Sequence, residues 1–275
     1  MTSQSHHKLR AAAVVCAAVV VAGPVPMTAR AATAAPTPVS SGVVAPAPAP
    51  SPDPFEDLTA DQIADRAVTA TRSAASLRIT GRIVSDGQPL AVDFAVDDSG
   101  ECTGLMKVED GTAELRRVDR VTYLKGDEAF WRASMTSQGL PEAQITATLE
   151  LIKGRWLKIA PGQAGSEDLG SICDLKALLA DLDGDGAERR GLTRGPDGEV
   201  AGTPVATLVK KKTDGETTTV SVAQQGEPYV LKMVREGGDE PGTVLLSDYD
   251  EPVEVSAPPA DETVDLSKLA PGTAA

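Results

Sequence analysis

Three aspartates at alternate positions, Asp181, Asp183 and Asp185, stand in the stretch DLDGDGAERRGL, and Gly186 follows the third. This is how a calcium loop begins, with oxygen ligands at positions one, three and five and a glycine at six. The rest of the loop does not follow. Position eight should be apolar and is Glu188; position twelve should be a bidentate acid and is Leu192. Arg189 and Arg190 add two positive charges beside the ion. Asp181, Asp183 and Asp185 are thus a weak calcium candidate. A helix end broken by Gly184 and Gly186, with solvated turn aspartates, fits the residues better. No metal and no cofactor is expected.

Nucleophilic catalysis is constrained by where the histidines lie. The chain has two, His6 and His7. HHKLR supplies a positive start, AAAVVCAAVVVAG a short apolar core, and TARAATA small-x-small sites for cleavage after Ala31 or Ala34. Residues 1–34 therefore read as a secretory signal peptide, with an uncleaved anchor as the alternative. Cys16 sits inside the apolar run, preceded by Val15, and not at its end where a lipid-bearing cysteine stands, so a membrane tether there is not expected. Without this segment the chain has no histidine. That excludes a Ser-His-Asp or Cys-His apparatus and imidazole-ligated zinc. The many carboxylates show no spacing that marks an acid–base pair. The chain reads as a protein that is not an enzyme.

The segment carries Lys8, Arg10 and Arg30 and no acid, so its loss moves the net charge from −14 to −17. Such a surface repels nucleic acid and anionic headgroups at long range, and no nucleic-acid partner is expected. The expected location is secreted or in the extracytoplasmic cell envelope. In that oxidising compartment Cys102 and Cys173, the remaining cysteines, are expected to form a disulfide between the start of a strand and the start of a helix. Two buried free thiols are the alternative.

Other residues that could bind a ligand have plainer readings. Trp131 and Trp156 could stack on sugars, but in so aromatic-poor a chain they are expected in the core or a cavity wall. Lys210, Lys211 and Lys212 could meet a phosphate-bearing headgroup, yet lysines at a strand end also blunt sheet edges. Arg116, Arg117 and Arg120 are read with the same caution.

The elements that must position these residues follow. Residues 35–54, rich in proline and alanine, form a disordered linker. A single domain spans 55–269, and 270–275 form a disordered tail. Thr59 and Gln62 make a capping box for a helix with Ile63, Ala67, Ala70 and Ala74 on one face. SLRITGRIV, PLAVDFAV, CTGLMKVE, TAELRRV and RVTYLKG then alternate as an antiparallel meander, with turns at Asp86-Gly87 and Asp110-Gly111. Leu90, Val92, Phe94 and Val96 share a face. A helix follows Pro141, with Ile145, Leu149 and Ile152 on its buried side. Another is capped by Ser171, with Leu175, Leu178, Leu179 and Leu182 as its stripe. Four more strands follow, and the C-terminal SAPPADETVDLSKLAPGTAA reads as a tail along the sheet. The expected fold is α+β: a strongly curved antiparallel sheet, a half-barrel, covered by about three helices.

Four stretches, YLKGDEAFW (Tyr123 to Trp131), GTPVATLV (Gly202 to Val209), GEPYVLKM (Gly226 to Met233) and SDYDEPVEVSAPPADETVDL (Ser247 to Leu266), resemble segments of LprG-like lipoproteins of actinobacteria. With the order of elements, they mark a resemblance to the LolA-like and LprG-like half-barrel proteins of the bacterial envelope, over Leu58 to Leu269. The resemblance implies a lipid or lipoglycan ligand held between sheet and helices, and its carriage or retention outside the cytoplasmic membrane. Many members carry a lipid-modified cysteine after the signal, which this chain lacks.

The residues point the same way. A sheet apolar on one face needs a cover, an alanine-rich helix face covers without filling, and two Trp, three Tyr and three Phe leave little to plug the interior. The expected cavity wall is Leu77, Ile79, Phe94, Val96, Met106, Leu149, Leu178, Tyr229, Leu231 and Met233. The chain is expected to be a carrier or chaperone for an apolar envelope ligand. A secreted structural or protein-interaction module with a packed core is the alternative.

Overall fold

The computed structural model describes residues 53–85, 87–163, 165–180 and 190–268, all within a compact unit. The chain order is α1 (Ala60–Ser73), β1 (Ser76–Ser85), β2 (Gln88–Asp97), β3 (Cys102–Val108), β4 (Gly111–Val118), β5 (Val121–Gly126), α2 (Glu128–Ser137), α3 (Glu142–Ile152), β6 (Trp156–Ile159), α4 (Ser166–Ser171) and α5 (Leu175–Ala180). It continues through β7 (Thr193–Arg194), β8 (Gly198–Val200), β9 (Thr203–Lys211), β10 (Thr217–Ala223), β11 (Val230–Glu236), β12 (Gly242–Ser247) and β13 (Thr263–Asp265).

All thirteen described strands belong to one curved, unclosed sheet, in the order β13-β6-β5-β4-β3-β2-β1-β12-β11-β10-β9-β7, with β8 paired to β9. Every pairing is antiparallel except β13 on β6. Two hairpin meanders, β1 to β5 and β9 to β12, join where β12 returns to lie beside β1.

Strand alternation separates the two faces of this sheet. Gly126, Ala113, Met106, Val92, Gly81, Val244, Met233, Val220 and Leu208 lie side by side across nine strands. One residue along, the neighbouring row reads Lys125, Glu114, Leu105, Asp93, Thr80, Leu245, Lys232, Ser221 and Thr207. The first row holds no charge and the second holds four, so period-two patterning alone decides which side meets the helices.

The helices divide the covered face. In α1, Thr59 and Gln62 form the expected capping box, and Ile63, Ala64, Ala67 and Ala70 are buried. This helix lies against β10, β11, β7 and α5, while α2 rests on β4, β5 and α3. Two glycines make the second contact possible. A Cβ on Gly111 would stand 2.4 Å from the backbone nitrogen of Phe130, and one on Gly126 would stand 2.4 Å from the Phe130 ring and 2.9 Å from Trp131. Only bare backbone lets α2 come this close.

Several expectations change. The described residues hold thirteen strands and five α-helices, where fewer strands and about three helices were expected, because short strands such as β7, β8 and β13 carry too few residues to show a period. α2 was missed: it opens beyond a strand, with Asp127 as its cap accepting from the Phe130 N–H, and buries only Trp131 and Met135. The second turn sits one residue early. Val108 pairs with Gly111, so Glu109 and Asp110 form the turn and Glu109 takes φ 52°. Gly111 is held in the strand by its contact with α2. Ser171 ends α4, its hydroxyl donating to the Asp168 carbonyl, and the Asp174 carboxylate accepts from Ala177 at the start of α5. Cys173 therefore sits between two short helices. The C-terminal segment does lie along the sheet, as β13.

Candidate functional site

Between the covered face of β1, β12, β11 and β10 and the helix α5 lies a cavity of about 370 Å³. Ile79, Ile83, Met233, Val244 and Leu246 line it from the sheet, and Leu178 and Leu179 from the helix. Polar groups enter at one end, where Thr218, Arg235 and Glu240 form the rim. The geometry follows from register. Ile79 pairs with Leu246, Gly81 with Val244 and Ile83 with Gly242, so glycine interrupts the side chains along the floor. A wider depression, about 770 Å³, shares Arg235 and Gly242 with the first, is lined besides by Thr80, Arg82, Asp93, Glu236 and Leu245 among others, and stands open to solvent. Its apolar lining is less extensive than that of the first.

Of the residues expected to form a cavity wall, Ile79, Leu178 and Met233 line the cavity. Leu77, Phe94, Val96 and Leu149 are buried in the hydrophobic core, and Met106 packs half-buried against it. Phe94 lies across Gly104, where an added Cβ would meet its ring at 2.4 Å. Leu231 is half-buried on β11. Tyr229 stacks on Tyr249 with ring centroids 4.0 Å apart. Ile83, Val244, Leu246 and Leu179 complete the lining and were not singled out. Their signal was present, in the alternation of RITGRIV and TVLLS and in the leucine stripe of α5.

The tyrosine pair fastens β11 to its surroundings. The Tyr229 hydroxyl donates to the Asp250 carboxylate at 2.7 Å, and the Ala75 N–H donates to the same carboxylate at 2.7 Å. The first bond, then the second, holds Asp250 below the usual carboxylate range. The Tyr229 phenol is raised to about 12, chiefly by the same hydrogen bond and then by burial. Burial pushes the Tyr249 phenol up as well, and its hydroxyl donates to the Val230 carbonyl.

Cys102 and Cys173 are joined as a disulfide. Both tryptophans are buried, so neither offers a face to a sugar: Trp131 packs on Gly126, and Trp156 lies under Arg116, 4.6 Å from its guanidinium. Arg116 also bonds Glu114. Arg117 points to the other side of β4 and donates to the Gly170 carbonyl at 3.1 Å, while Arg120 occupies a left-handed turn with Asp119. Lys210 and Lys211 end β9, and Lys212 pairs with Glu216 at 2.9 Å. Asp181, Asp183 and Asp185 lie outside the described residues. Among the described residues no group of three His, Cys, Asp or Glu could hold a metal, and no helix is long and apolar enough to cross a membrane.

No protein-family model and no curated protein matches the chain. Solved structures similar to it include LprF from Mycobacterium bovis, at 15% identity and a TM-score of 0.49, covering 72% of this chain and 96% of that one. The Mycobacterium tuberculosis lipoprotein LppX is similar at 15% identity and a TM-score of 0.44, covering 71% and 97%. The curved, unclosed antiparallel sheet with helices on one face makes this chain a half-barrel, the fold that the sequence resemblance implied.

Proposed function

We propose that this chain is a non-enzymatic binding protein for an apolar ligand of the cell envelope, a lipid or lipoglycan, which it carries or shields outside the cytoplasm. The cavity of about 370 Å³ between sheet and α5 is the observation that carries this reading. Its volume falls in the range of small-molecule sites, about 300–1,000 Å³. Its lining is apolar with polar groups gathered at one end, which suits an amphiphile lying chain inward. Apolar burial at roughly 25 cal/mol per Å² supplies the affinity. Native mass spectrometry and organic extraction of the protein purified from its own host should recover a bound lipid. If no lipid co-purifies and no apolar fluorescent probe binds below about 100 μM, the reading is wrong and a packed-core interaction module replaces it.

A further inference from the structure

The rim of the cavity holds a guanidinium with unspent hydrogen-bonding capacity. Arg235 pairs in register with Gly242 on one side and Thr218 on the other, and it falls two residues beyond Met233 on the same face. Gly242 has no side chain, and the space above it is taken by Ile83 of β1, 2.8 Å from where a Cβ would stand. Among the described residues its partners are two carboxylates at long range: Glu216 Oε1 at 3.7 Å and Glu240 Oε2 at 3.6 Å. Neither makes a hydrogen bond to it. Glu216 also forms an ion pair with Lys212 at 2.9 Å and is nearly buried, though its Oε1 accepts no hydrogen bond among the described residues. Glu240 is exposed, in the β11–β12 turn that Gly237 and Gly238 form with φ 73° and 67°.

We infer that Arg235 is the headgroup site of the cavity and that its ligand is an amphiphile with an anionic oxygen head, a carboxylate or a phosphate. Glu240 is the displaceable carboxylate that stands in for that head when the cavity is empty. The inference rests on the carrier reading and deepens it. A guanidinium fork accepts a carboxylate or phosphate through two short parallel bonds, which neither glutamate provides. The acyl chain of such a ligand then runs inward past Met233 and Val244 towards Ile79 and Leu246. The acidity of the whole chain opposes anions at long range but is screened by salt within about 10 Å, whereas contact with Arg235 is direct.

The test uses dodecanoate, dodecyl phosphate and dodecanol, each displacing N-phenylnaphthylamine from the full chain at neutral pH. The wild type should bind either anion about tenfold more tightly than the alcohol. Arg235→Gln should abolish that preference and leave dodecanol binding unchanged. Glu240→Gln should strengthen both anions severalfold and again leave the alcohol alone. Carboxylate and phosphate arms that respond differently identify which head the site prefers. Equal affinity for anions and alcohol in the wild type, or a preference that survives Arg235→Gln, overturns the headgroup assignment and leaves the carrier reading standing. Binding of none of the three overturns both.

Discussion

Cys102 and Cys173, 71 residues apart in sequence, are disulfide-bonded with their Cα atoms 5.5 Å apart and neither side chain exposed. The bond pins the link between α4 and α5 to the first residue of β3. Since α5 forms the helical wall of the cavity, the disulfide holds that wall near the sheet.

A loop of this length is worth about 4 kcal/mol by the chain-entropy account. Thiol titration of the unfolded, unreduced protein should find no free sulfhydryl. Cys102→Ser with Cys173→Ser should lower the denaturation midpoint in urea by a corresponding amount. A midpoint within error of the wild type would show that the covalent link contributes nothing.

Gly104 is required for packing. Its Cβ would lie 2.2 Å from the Asp93 carbonyl oxygen and 2.7 Å from the Phe94 Cα, both backbone atoms of the neighbouring strand. Gly104→Ala should cost at least about 1–3 kcal/mol, measured by chemical denaturation. Gly139→Ala serves as a contrast. No atom stands within 4 Å of the added carbon there, so only its φ of 77° opposes the change.

Blocking the cavity should separate binding from stability. Met233→Trp places bulk in the lining and should reduce uptake of an apolar fluorescent probe more than tenfold, with a small change in Tm. Val96→Trp should instead destabilise by about 1–3 kcal/mol, because Val96 is wholly buried between Leu77 and Cys102. Equal loss of stability in both variants would contradict the distinction between lining and core.

Alkali should loosen β11. The Tyr229 phenol has its folded pKa raised to about 12 from an ordinary 10. Its contribution is therefore complete below pH 10 and is lost as pH rises from 10 towards 12. Asp250 shows the opposite sign: its folded value is depressed, so its contribution is present at neutral pH and is lost as acid protonates it. Tyr229→Phe should flatten the alkaline fall in Tm, and Asp250→Asn should flatten the acid one. An alkaline slope identical in wild type and Tyr229→Phe would show that the phenol plays no part.

The composition and local patterns of this chain are enough to determine the α+β class, the capping box at Thr59, the meander from Ser76 to Gly126 and the side of each strand that faces the helices. Each of these depends on residues within a few positions of one another, where period, cap and turn chemistry act directly. What covers what was decided by the tertiary structure. Phe94 and Met233 obey the same alternation, yet Phe94 is drawn into the core over Gly104 while Met233 is left beside open space. That difference comes from what packs over each residue in the folded chain, which no local pattern encodes. The Asp110-Gly111 turn shifted for the same reason: Gly111 is needed under Phe130, and a contact across the fold outweighed a local turn preference. The pairing of Arg235 with Gly242 also appears only once β12 has returned to lie between β11 and β1.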